Sequence, residues 1–212
     1  MPQHLDALSP YELMLLYRSD AIGAYGAFEQ ALSRCFIAVT KTEPRVGSLI
    51  FFNIVATRTR LSIIESLLKE KYYPAQRPFW VSALKLIRKI DDTRNQIVHW
   101  LPISELPVDK NGVASLNSRK SPETWLRPPD YWKFAEGSGE LSINDVLAFR
   151  HKTTFVAKNL DLWHIHVTGS LPDVTKPFEH RFQQSIPYPP PEDHPLFERL
   201  PVWRNPRRSS PS

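Results

Sequence analysis

Arg94, Asn95 and His99 lie close together in the stretch DDTRNQIVH, and their side chains cover the needs of phosphate chemistry. An arginine meets a phosphate with two parallel hydrogen bonds and keeps its charge at any working pH. A histidine, with an unperturbed pKa of about 6.5, can take or give a proton. An asparagine can orient a ribose hydroxyl or a phosphate oxygen, or fix the histidine ring. RNA cleavage by attack of its own 2′-hydroxyl on the adjacent phosphate needs a proton acceptor, a proton donor and a grip on the charged phosphate. The three residue types supply these without a metal.

Their spacing constrains how they can act. At about 100° per residue, Trp80, Ala83, Ile87, Ile90 and Val98 all fall within roughly 40° of Arg94, so the arginine sits in the middle of an apolar stripe. A guanidinium there without a partner would cost several kcal/mol, so a polar group must meet it. Asp91, three residues earlier, is the nearest support in the chain, with Asp92 beside it, and Glu29 and Glu65 on other helices are alternatives. Asn95 and His99, four apart, share a helix face. Arg94 and His99 are about 140° apart around the helix and roughly 7.5 Å apart along it, so one copy of the motif spreads its groups widely.

The elements that must hold these residues read as helices. Ser9-Pro10-Tyr11-Glu12 is a capping box with proline at the first helical position, and it opens a helix reaching about Thr40. After a break at Glu43-Pro44-Arg45, the spacing predicts a second helix over 48–72. A third starts near Pro78 and must end before Pro102, which puts His99 in its last turn. Ser142-Ile143-Asn144-Asp145 is a second capping box and opens a fourth helix to about Val167, stopped by Gly169. Between the third and fourth helices, residues 101–140 form a polar insert. Its Val108-Asp109-Lys110-Asn111-Gly112-Val113 predicts a hairpin turn, with Thr124-Trp125-Leu126 as a further extended piece. From 171 onward the chain holds half of its 20 prolines, which predicts an extended or disordered tail over 171–212, with Phe197, Leu200 and Trp203 as its docking candidates. The expected fold class is all-α: an antiparallel bundle of about four long helices in a domain spanning 1–170, with a small β-hairpin insert.

Composition bounds the rest. At 212 residues and 42% hydrophobic content the chain can bury a real core. The net charge of +5 and pI near 9.3 are compatible with a polyanionic partner without requiring one. Cys35 is the one cysteine, so no intrachain disulfide forms, and it is expected to pack as a small apolar residue. The start MPQHLDALSPYE lacks a signal peptide's basic and apolar blocks, and no apolar run nears the roughly 20 residues a bilayer crossing needs, so a cytoplasmic protein without membrane attachment is expected. His164 and His166, two apart on a helix, point about 200° apart and cannot share an ion. Arg204-Asn205-Pro206-Arg207-Arg208 is read as a solvated end. There is no Gly-rich phosphate loop, nucleophile elbow or zinc spacing, which argues against nucleotide-hydrolysing, esterase and zinc chemistry.

The order Arg94-Asn95, three residues, His99 resembles the R-N-x-x-x-H signature of the HEPN superfamily, small all-α domains of which many are metal-independent ribonucleases. The resemblance extends to a motif at the end of a late helix with a further helix behind it, and leaves the insert and the tail outside it. It implies Arg94, Asn95 and His99 as catalytic residues, no cofactor, single-stranded or loop RNA as substrate, and a homodimer whose motif helices meet in one composite cleft. It also implies a setting in toxin–antitoxin or phage-defence systems, with an antitoxin or regulatory protein as partner. Two other readings of the same residues stay open: a non-catalytic helical dimerisation module with Arg94 in a buried ion pair, and an RNA or nucleotide binder without turnover.

Overall fold

The structure is a computed structural model that describes residues 8–105, 123–129, 139–200 and 202. Helices dominate: α1 (Pro10–Thr40), α2 (Pro44–Asn53), α3 (Thr57–Lys71), α4 (Tyr73–His99), α5 (Ile143–Thr168) and the short α6 (Pro172–Thr175), followed by a 3-10 helix over Lys176–Gln183. A small antiparallel sheet is ordered β1 (Leu101–Glu105), β2 (Glu123–Arg127), β3 (Leu141–Ser142). The hairpin turn expected at 108–113 and the basic end at 204–208 lie outside the described residues. None of the described helices is long and apolar enough to cross a membrane.

Both capping boxes form. Ser9 donates N–H and Oγ–H to Glu12 Oε2, each at 2.7 Å, and Glu12 N–H returns to Ser9 Oγ at 3.3 Å. Ser142 and Asp145 repeat the pattern at the start of α5, at 2.8 and 3.2 Å. At the other end of α5 the chain turns at Gly169, whose φ of +65° suits a residue without a Cβ.

Two expectations need correction. The helix expected over 48–72 is two helices. Pro44 does not break the chain there: it sits in the first turn of α2, where its missing N–H costs nothing, and the Glu43 carboxylate caps Val46 N–H at 2.9 Å. The break comes instead after Asn53, where Ile54 is extended and its carbonyl accepts from Arg60 Nε at 2.5 Å. The tail from 171 is also not simply extended. Proline is tolerated in the first turn of a helix, and each of the two short helices begins with one there. What secures the segment is apolar burial: Phe182 packs edge-on to Phe79 at 5.5 Å and over His166 at 4.9 Å. Ile186 N–H donates to Ser82 Oγ at 2.8 Å, and the His151 ring meets the Glu198 carbonyl at 2.8 Å. Phe182, Ile186 and His194 are the tail's buried anchors, while Phe197 is half-buried and Leu200 exposed.

The chain divides into two compact units, and α1, α4 and α5 contribute to both. The larger comprises residues 24–92 and 151–198. Its interior is aromatic: Trp80 meets Trp163 at 4.6 Å and Tyr72 meets Trp163 at 5.2 Å, both edge to face. The backbone at Gln76 leaves helical geometry (φ −123°, ψ 18°), so the regular part of α4 begins just before Pro78; Gln76 Oε1 accepts from Trp163 Nε1 at 2.7 Å. Cys35 is fully buried, its thiol pushed well up by burial and then by Asp161, in keeping with a packed apolar side chain. The smaller unit comprises residues 1–23, 93–150 and 199–212. Its buried side chains include Leu13 and Met14 of α1, Ile97 of α4, Leu126 of β2 and Val146 of α5.

Candidate functional site

The candidate site occupies the last two turns of α4, in the smaller unit. On the part of α4 belonging to the larger unit the buried positions are Phe79, Trp80, Ala83, Leu84, Ile87 and Ile90, and in the smaller unit Ile97 follows. Arg94 continues that spacing, four residues after Ile90 and three before Ile97, and is half-buried. Ile97 rather than Val98 carries the stripe onward. Val98 is only half-buried.

The guanidinium has a polar contact: Arg94 Nη1 donates to Asn95 Oδ1 at 3.0 Å. With Oδ1 so engaged, the Asn95 amide keeps two N–H donors on Nδ2 for an outside acceptor. Asn95 and His99 are both exposed and, four apart on α4, lie on one face. Arg94 and Asn95 are therefore coupled, and His99 stands one turn further on. Asp91 has a different association: its Oδ1 accepts from Tyr25 Oη at 3.0 Å within the larger unit. The alternative carboxylates are likewise engaged. Glu29 pairs with Arg60 at 2.8 Å, and Glu65 with Lys69 at 3.1 Å and Arg88 at 2.9 Å.

The sequence reading missed one residue of the site. Arg18, half-buried on α1, donates Nε–H to the Ile97 carbonyl at 2.8 Å and Nη2–H to the Val98 carbonyl at 2.7 Å. The last carbonyls of a helix have no partner within it and carry its partial negative charge, so a guanidinium there satisfies two acceptors and complements the dipole. This clasp fixes the turn that carries His99. The signal was present in the sequence: Arg18 falls between Met14 and Ala21, four and three residues away, both fully buried, so it interrupts an apolar stripe just as Arg94 does.

Beyond His99 the chain is held at once. Trp100 is buried, and Leu101 opens β1, paired in register with Arg127 of β2. Arg127 makes an ion pair with Glu140 at 2.5 Å. The sheet therefore fixes where α4 ends. The arrangement can present an exposed imidazole and an exposed amide on one helical face, with a guanidinium behind them, to a phosphate-bearing ligand. Comparison with protein-family models, curated proteins and solved structures finds no match to this chain.

Proposed function

We propose that this chain is a metal-independent endoribonuclease of HEPN type, acting on single-stranded or loop RNA. The observation that carries the reading is the Arg94–Asn95 pair at 3.0 Å with His99 exposed one turn later, on a helix end clasped by Arg18. In this reading α1, α3, α4 and α5 are the long helices of a HEPN-like bundle, and the protein works as a homodimer.

The dimer is what the HEPN resemblance implies, and it suits the chemistry. The 2′-oxygen attacks phosphorus, the bond from phosphorus to the 5′-oxygen breaks, one proton leaves the 2′-hydroxyl and one reaches the departing 5′-oxygen. Each motif holds one histidine. Two copies supply a base and an acid, with Arg94 of each gripping the phosphate. DNA is refractory because it lacks the attacking hydroxyl. A toxin or phage-defence role, with an antitoxin or regulatory protein as partner, belongs to the same proposal.

The test is cleavage of a fluorescent single-stranded RNA in excess chelator. The parent should yield 2′,3′-cyclic phosphate ends, and Arg94→Ala and His99→Ala should lose turnover while melting within about 5 °C of the parent. If both variants cut as fast as the parent, the mechanism is wrong. A second reading, a non-catalytic helical module, draws on the half-burial of Arg94 and its contact within the chain. In that case Arg94→Ala would chiefly lower the melting temperature.

A further inference from the structure

Helix α2 carries apolar side chains on both sides and is covered on one. Gly47 and Phe51 form its buried side, with Phe51 packed against Phe36 of α1 at 5.8 Å. On the other side Val46, Leu49, Ile50 and Phe52 span an arc of about 160° around the axis, and all are exposed. Val55, just beyond the helix, is 90% exposed, and Leu49 is 56% exposed. Arg45 and Asn53 project within the same arc, so the outer face is an apolar surface with a cation set into it. The five apolar side chains expose a surface on the order of 400 Å², the size of the largest patch on a typical monomer, which is often functional.

Apart from Glu43, the charges that flank this surface in the sequence are basic. Lys41 just after α1, Arg45 in α2 and Arg58 in the first turn of α3 are exposed, and from Pro44 to Ile64 the sequence contains no aspartate or glutamate. Glu43, at the start of α2, has its carboxylate turned onto the Val46 N–H. Among the described residues no ion pair engages Lys41, Arg45 or Arg58.

We propose that the outer face of α2 docks an amphipathic helix of a second protein, one with an apolar stripe flanked by acidic residues. Val46, Leu49 and Ile50, spaced three and four apart, form a ridge that fits a partner's own stripe at the same spacing. The cationic rim selects acidic flanks and disfavours a second copy of this chain, which would set arginine against arginine. Area points the same way: a stable dimer buries about 800 Å² on each side, roughly twice what this face offers. Four of the five side chains are aliphatic, and the one ring, Phe52, already packs edge-on against Phe51 at 5.1 Å, so the face offers bases little stacking platform and does not suit RNA.

The experiment uses the full chain and two labelled helical peptides of about 15 residues, each with leucines spaced i, i+3, i+4 and i+7. One carries glutamates beside the stripe and the other lysines. Fluorescence anisotropy should give binding of the glutamate peptide only. Leu49→Asp should weaken it about tenfold or more, and Arg45→Glu with Arg58→Glu should transfer the preference to the lysine peptide. Melting curves check folding. Should Leu49→Asp fail to fold, Val55→Asp serves the same purpose, because that side chain is almost wholly in solvent. Equal binding of both peptides, or of neither, overturns the proposal. So does co-sedimentation with phosphatidylcholine–phosphatidylserine vesicles that Leu49→Asp abolishes, which would make the face a lipid contact. A dimer that Leu49→Asp dissociates would make it a self-contact.

Discussion

Arginines at three positions illustrate how much environment decides a residue's role. Arg60 is 9% exposed, paired with Glu29 at 2.8 Å and stacked over Phe51 at 4.9 Å. Replacing it with alanine takes the cation from half-buried Glu29 and the donor from the Ile54 carbonyl, and should cost about 2–4 kcal/mol in urea unfolding. Arg94 is half-buried and contacts exposed Asn95, so Arg94→Ala should cost about 1 kcal/mol or less. Observation of the reverse order would move the buried-ion-pair role to Arg94. Arg18 falls between them. Arg18→Met keeps the stem and removes both donors, and should cost about 1–3 kcal/mol while speeding hydrogen exchange at the Trp100 amide, which donates to the Gln96 carbonyl in the same final turn. If exchange there is unchanged, Arg18 does not hold the helix end. The apolar stripe flagged Arg94 in the sequence, and applied equally to α1 it flags Arg18. Arg60 also interrupts a stripe, beside Leu61 and Ile64. What the sequence could not supply was the pairing, because Glu29 and Arg60 lie on different helices and nothing in their spacing says which carboxylate meets which guanidinium.

Helices are legible where local chemistry is decisive. The capping boxes at Ser9 and Ser142, the proline boundary after His99 and the glycine at 169 each act within a few residues, and each marks an observed boundary. The α2–α3 junction escaped because its anchor is tertiary: the extended Ile54 carbonyl is held by Arg60, and Arg60 is in turn tied to Glu29 of α1. Gly47 has a similar origin. A Cβ there would meet the Thr42 hydroxyl and come within 2.6 Å of Ile37 Cγ1, both against the end of α1. Gly47→Ala should therefore destabilise the fold by about 1–3 kcal/mol despite alanine's better helix propensity. A melting temperature equal to or above the parent's would mean that α2 shifts freely.

For the molecule as a whole, the proline-rich segment joins the larger unit through buried groups that proline content could not reveal. His194 is buried against Phe155 at 5.1 Å and its Nδ1 accepts from Leu196 N–H. Burial, then Arg181, hold its pKa below the ordinary value, with Asp193 opposing; burial, then Arg34, do the same for His164, with Asp161 opposing. Both histidines favour the neutral form when folded. Their contribution is therefore full above about pH 6.5 and is lost as pH falls through the lowered folded values. The urea midpoint should drop between pH 7.5 and pH 5, and His194→Gln should flatten that drop. A midpoint that rises on acidification in this range would contradict the assignment. Length and hydrophobic content predict a real core. They were silent on which polar side chains that core would enclose.

The Arg18 clasp has a genetic consequence. It grips carbonyl oxygens of residues 97 and 98, which every amino acid presents alike. The side chains there can change without altering the acceptors, whereas only position 18 supplies the donors. A suppressor screen begun from Arg18→Met would find no compensating exchange at 97 or 98. Recovery would have to come from a new cation on a neighbouring turn of α1, so this contact would leave no covarying pair for sequence comparison to detect.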